Sequence, residues 1–205
     1  MTSIFSVTSA ASSLALLSVA ELRALLGAGP SDDDLEVLGR RVALAIAGAC
    51  GVAADGVNPP TLLRETCAET FRLARRVATL RLARRPVAAV TSVVENGTTL
   101  DPVSYELEPA SGLVTRLSGD QPCWWPCGKV AFAFTAGYVA APDDLKLAAA
   151  KLAAVLAAES GHDPNLKRES IPGVIEREWW VPPTTDPLIT REIEELLSPY
   201  RQYWM

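Results

Sequence analysis

Val87-Ala88-Ala89-Val90-Thr91-Ser92-Val93-Val94-Glu95-Asn96-Gly97-Thr98-Thr99-Leu100 carries a strong hairpin signal. Asn-Gly tolerates the positive φ angles of a type I′ turn, and valines and threonines stand on both sides of it. The stretch therefore reads as a β-hairpin. Working outward, strands are expected near 62–71, 78–84 and 87–94 before the turn. After it they are expected near 104–108, from Leu113 to Leu117, and from Lys129 to Thr135, where Val130, Phe132 and Phe134 alternate onto one face. Ser111-Gly112 and Gly137 punctuate these strands, and Asp55-Gly56 with Asn58-Pro59-Pro60 marks a loop ahead of them. Short antiparallel strands at this spacing imply a small sheet or barrel.

Helical patterns flank this region. Ser18-Val19-Ala20-Glu21 has the form of a capping box, and Leu22, Leu25 and Leu26 follow on one face until Gly27, Gly29 and Pro30. Ser31-Asp32-Asp33-Asp34 opens a second helix, its acids complementing the helix dipole, with Leu35, Leu38, Val42, Ala45, Ile46 and Ala49 at helical spacing. Ala141-Pro142-Asp143-Asp144 opens the longest helix, whose core side carries Leu145, Leu152, Val155 and Leu156. Asp186-Pro187 caps a last helix near 188–197. The expected fold class is α+β: a helical bundle with an inserted small antiparallel β module and an extended C-terminal tail. The expected divisions are an N-terminal arm over 1–17, a core over 18–161 with the β module at about 61–136, and a C-terminal segment over 162–205.

The bulk properties bound the function. The 205 residues are 49% hydrophobic and 21% charged, close to globular averages. No run of about 18 apolar residues occurs, so no transmembrane helix is expected. Leu14 to Ala20 is apolar, but no Lys or Arg precedes Arg23, so it reads as a helix start and not a signal peptide. The net charge of −5 is the wrong sign for a protein that wraps nucleic acid. Cys123 and Cys127, in Cys-Trp-Trp-Pro-Cys, have a spacing that permits zinc, but Cys50 and Cys67 lie far off in the chain. Small buried thiols are the favoured reading, and no metal or cofactor is expected.

A search for catalytic groups returns little. His162, the only histidine, follows a helix-ending glycine and reads as a solvated loop residue. No Gly-x-Ser-x-Gly elbow and no phosphate-binding glycine loop is present. Asp143 and Asp144 are adjacent, so on a helix they diverge and read as capping. An enzyme is not expected. Two features remain. Arg72, Arg75, Arg76, Arg81, Arg84 and Arg85 concentrate in one stretch. They read as a solvated face, or as a basic interface patch toward an acidic partner or a DNA passage. The tail Tyr200-Arg201-Gln202-Tyr203-Trp204-Met205 carries residue types enriched at interface cores, and it is expected to dock on its own fold or on a partner. Trp179-Trp180 supports the same idea more weakly.

Taken in order, these residues resemble the head–tail connector (adaptor) proteins of long-tailed phages and gene transfer agents. The likeness is carried by Ser31-Asp32-Asp33-Asp34-Leu35; by Arg85-Pro86-Val87, Val90-Thr91-Ser92-Val93, Asn96-Gly97 and Leu100; and by Tyr105-Glu106-Leu107 with Ser111-Gly112-Leu113. Thr135-Ala136-Gly137-Tyr138, Pro142 and Asp144-Leu145-Lys146 continue it. Ile171-Pro172-Gly173-Val174 and Leu196-Leu197-Ser198-Pro199-Tyr200-Arg201 end it. Each motif alone is weak; their order over nearly the whole chain is more specific. The resemblance implies a ring, commonly of about twelve subunits, built on a heterologous interface. It implies a portal protein on one side, a stopper or tail completion protein on the other, and DNA passing through the channel without sequence-specific binding. It implies a place in the virion neck, after assembly in the bacterial cytoplasm. The implied portal-binding residues are Leu196, Leu197, Pro199, Tyr200, Arg201, Tyr203, Trp204 and Met205. The long arm, the Cys-Trp-Trp-Pro-Cys loop and the run past Tyr-Arg depart from the family pattern. The alternatives are another neck component, such as a stopper or tail terminator, and a non-viral protein-interaction module.

Overall fold

The computed structural model describes residues 1–159, 168–171, 175–178 and 189–202. His162 and Trp179-Trp180 lie outside them, as do Tyr203, Trp204 and Met205. The elements in chain order are β1 (Thr2–Ser9), α1 (Val19–Leu26), α2 (Asp32–Ala49), β2 (Glu65–Leu73), β3 (Thr79–Arg81), β4 (Val87–Glu95) and β5 (Thr98–Thr99). They continue with β6 (Tyr105–Glu108), β7 (Leu113–Ser118), β8 (Gln121–Cys123), β9 (Gly128–Ala136), α3 (Asp143–Glu159), β10 (Arg168–Ile171), β11 (Ile175–Glu178) and α4 (Arg191–Leu197). The chain divides into two units. One holds residues 1–14, 47–142 and 200–205, and the other holds 15–46 and 143–199.

The expected helical bundle is corrected here: strands dominate the core. A five-stranded antiparallel sheet runs β1-β2-β9-β4-β5, and a second antiparallel sheet runs β3-β7-β6 with β8 also on β7. The reason lies in the inward faces. On β2, Glu65, Cys67, Glu69, Phe71 and Leu73 are all buried, and on β9 Val130, Phe132, Phe134 and Ala136 are. The apolar ones among them meet Leu80, Leu82, Val114 and Trp125 from the other sheet and its loops in one hydrophobic cluster. Trp125 is fully buried, edge-on to Phe132 at 5.8 Å, and its indole N–H donates to the Val114 carbonyl at 3.2 Å. The helices bury no aromatic side chains, and α3 turns Ala148, Ala149 and Ala153 inward beside Leu145, Leu152 and Leu156.

Local signals behave as their chemistry dictates. Asn96 and Gly97 have φ of 50° and 90°, closing the β4–β5 hairpin. The Asn96 side chain then accepts the Lys129 N–H at 2.8 Å, across to the start of β9. Gly128 leaves room for it, since a Cβ there would sit 2.0 Å from the Asn96 oxygen. Ser18 and Glu21 form the reciprocal capping box of α1. In the same unit, Lys146 of α3 reaches Glu21 at 2.7 Å, and Lys151 reaches Glu192 of α4 at 2.7 Å.

Thr2–Ser9 was expected as part of an arm; it is an edge strand, paired with β2 from Thr2↔Arg72 to Ser9↔Thr66. Its polar composition hid a two-residue alternation. Phe5 and Val7 turn inward against the core, and Ile4 stays 62% exposed.

Candidate functional site

Three places in the structure carry groups that could act. The first is the C-terminal segment. In α4, Leu197 is buried and Leu196 half-buried, while Pro199 after it is exposed. Tyr200 is buried on the β-rich unit, its ring edge-on to Tyr138 at 5.7 Å. Gln202 completes the anchorage. Its backbone N–H donates to the Cys50 carbonyl at 2.6 Å, and its side-chain amide donates to the Arg85 carbonyl at 2.9 Å. The chain therefore docks on its own fold as far as Gln202, with Arg201 half-buried. Gln202 was not singled out from sequence, because nothing local marks a glutamine as a clamp.

The second place is a buried charge cluster behind β1. Arg84 belongs to the expected basic stretch, but its side chain is only 4% exposed and lies 3.0 Å from the equally buried Glu65. It also donates to the Thr61 carbonyl and stands 5.5 Å from the Phe5 ring centre. Burial pushes the Glu65 carboxyl up, with Arg84 opposing the shift. Glu69, two positions further along the same face than Cys67, is 1% exposed and accepts the Ala83 N–H at 2.8 Å. Burial raises its pKa from 4.5 to about 7, against the hydrogen bonds from Ala83 and Ser3. Sequence reasoning passed over both acids. The signal was there, since carboxylates on the inward face of an alternating strand must be buried.

This gives a pH prediction. The unfolded chain loses the Glu69 proton at lower pH than the folded protein does. Its contribution to stability is thus present below about pH 4.5 and is lost as pH rises to about 7, then stays level. Glu69→Gln is expected to remove that slope and to stabilise the protein by about 1–3 kcal/mol at about pH 8, with little gain at about pH 4.5. Urea titrations at the two pH values measure it; parallel profiles for both proteins would refute it.

The third place is one end of the β-rich unit. Arg72, Arg75 and Arg76 are exposed there, whereas Arg81 and Arg85 are half-buried. The six arginines therefore do not form one patch. Beside the exposed three stands the β8–β9 loop. It is fixed by reciprocal backbone bonds between Val77 and Trp125, at 2.8 and 3.3 Å. Trp124 projects from it, 62% exposed. The cysteines are dispersed. Burial pushes the Cys50 thiol up to about 11 and that of Cys67 to about 12, so both stay protonated. Cys123 is half-buried and Cys127 exposed, its sulfur 3.7 Å from the Ala74 carbonyl.

No protein-family model matches the chain, and no curated protein matches it. Solved structures do. A chain in the virion of a native gene transfer agent particle superposes with a TM-score of 0.61 at 22% identity, over 98% of this chain and 97% of that one. A chain in the neck of an empty gene transfer agent particle, computed with C6 symmetry, gives 0.60 at 22% identity, over 98% and 96%. One in the neck of the native particle, computed with C12 symmetry, gives 0.58 at 22% identity, over 98% and 96%. The likeness is one of fold, and it spans nearly the whole length of both partners.

Proposed function

We propose that this chain is a structural subunit of the neck of a tailed phage or gene transfer agent particle, and within the neck a head–tail adaptor. It forms a ring of about twelve copies between the portal and the stopper or tail completion protein, and DNA passes through the centre. The observation that carries this reading is the end-to-end fold likeness to chains of gene transfer agent necks and virions. A likeness over 98% of this chain leaves little of it over for a second, unrelated domain. The role is mechanical, so the residues that matter are those that meet neighbours.

In this reading Leu196 to Met205 meets the portal. Leu197 and Tyr200 act from beneath, buried on the subunit's own surfaces. Leu197 holds Leu196 on its own unit, and Tyr200 holds Arg201 on the other. Holding such a segment in advance lowers the ordering cost of docking.

A stopper or tail terminator is a second reading, and the strand-dominated core favours it, since those components tend to be mainly β. Order of addition separates the two. Purified chain is mixed with portal rings alone and imaged by negative stain. Rings seated on the portal are expected of an adaptor; rings that join only after another neck protein point to the stopper. A chain that stays monomeric and never joins a neck assembly overturns both. The tail is tested with two variants that keep Tyr200 and Gln202: deletion of Tyr203–Met205, and Arg201→Glu. At least about a tenfold loss of portal binding is expected from one of them; undiminished binding by both rules the tail out.

A further inference from the structure

The Cys-Trp-Trp-Pro-Cys loop and the Arg75-Arg76 turn come together at one end of the β-rich unit, and the neck reading alone gives them no task. Arg72 on β2 lies directly across from Lys129 on β9. Both are exposed, and like charges opposed across two strands are destabilising. Arg75 and Arg76 follow on the loop out of β2, also exposed. Among the described residues, none of these four cations has an ion-pair partner. Glu95 is close in the same sheet, one strand beyond β9, but it is held by Arg116 at 3.1 Å.

The loop framework is rigid where it needs to be. The fully buried Trp125 pins one loop to Val77, and Asn96 bonds both the Cys127 carbonyl, at 3.3 Å, and the Lys129 N–H. Trp124, next to Trp125 on this loop, is exposed. Among the described residues these cations have no counter-charge, and such a surface with one exposed indole suits an external anion.

We propose that Arg72, Arg75, Arg76, Lys129 and Trp124 form a sequence-independent contact for the phosphate backbone of double-stranded DNA. The cations meet phosphate oxygens, and the indole offers a flat apolar surface to a deoxyribose. Which polyanion the site meets rests on the neck reading, in which DNA passes the subunit. An acidic protein surface is the rival occupant. Competition between duplex and an acidic polypeptide separates the two occupants. The net charge of −5 has a consequence for this contact. The remainder of the chain repels DNA, so the contact is weak and local, as a strand that must slide requires.

The test is fluorescence anisotropy of a labelled mixed-sequence duplex with the full-length chain, titrated across salt. Four phosphate contacts predict about a 100-fold loss of affinity between about 50 and about 200 mM salt. The double variant Arg75→Glu/Arg76→Glu is expected to bind at least about tenfold more weakly at low salt, with a shallower salt dependence. Arg40→Glu/Arg41→Glu, on the exposed side of α2, serves as the control and is expected to bind nearly as the parent does. Circular dichroism checks that each variant is folded.

Three results overturn the proposal: no duplex binding at low salt, equal loss in the control, or displacement of DNA by polyglutamate at equal charge. The last would assign the site to an acidic protein. Ring formation and portal binding are scored separately on the same preparations. A protein that joins necks but does not bind duplex refutes this inference alone. One that binds duplex but never joins a neck refutes the neck reading and leaves the contact standing.

Discussion

Trp125→Ala is expected to destabilise the β-rich unit by about 3–5 kcal/mol. Trp125 has no exposed surface, and its ring packs edge-on against Phe132, which is edge-on to Phe71 at 5.7 Å. Removing it leaves a cavity between the two sheets and deletes the hydrogen bond to the Val114 carbonyl. It also frees the β8–β9 loop, because the side chain between the two Val77 bonds no longer fills its place. The loss should read as a fall of roughly 10 °C or more in melting temperature. Trp124→Ala, one residue away and largely exposed, is the matched control and should move it little. Equal falls for both would show that the loop, and not the core contact, carries the stability.

Arg84→Met is expected to cost about 3–5 kcal/mol, because it strands the Glu65 carboxylate without a counter-charge in the interior. The Arg84 guanidinium also caps the Thr61 carbonyl and covers Phe5, so the edge strand loses a contact as well. The double variant Glu65→Leu/Arg84→Met removes both charges and should recover most of the loss. Urea unfolding of the parent, the two singles and the double closes the cycle. A double variant as unstable as the worse single would mean that the pair's hydrogen bonds, and not its charges, dominate.

Parts of this structure stood plainly in the sequence. Asn96-Gly97 can hardly be read except as a hairpin turn, and the alternation of Val130, Phe132 and Phe134 gives the face of β9 directly. The capping box at Ser18 and Glu21 needs only a three-residue spacing. The balance between helix and sheet was not legible, since it depends on pairings between strands far apart in the chain. β2 was readable as a strand, but its inward face carries Glu65 and Glu69 among apolar residues. Arg84, arriving from beyond β3, makes Glu65 tolerable there, and the Ala83 and Ser3 donors do the same for Glu69. The same pairing explains why a run of six arginines is not one patch. Arg84 turns into the interior, and Arg72, Arg75 and Arg76 remain outside. The C-terminal aromatics announced a docked tail, and Tyr200 is docked on its own chain; the clamp at Gln202 had no signal.

The division into two units has a consequence for how the protein is made. The chain passes between them four times, at 14/15, 46/47, 142/143 and 199/200. Neither unit is a continuous piece of polypeptide. On the ribosome, Thr2–Ser9 has no partner until Glu65–Leu73 follows it out. The β-rich unit then stays open until Tyr200 and Gln202 have been translated. Contacts of such wide sequence separation make folding slow. A nascent subunit is thus unfinished until Gln202 has left the ribosome, and the surface that Gln202 closes forms after the strands beneath it.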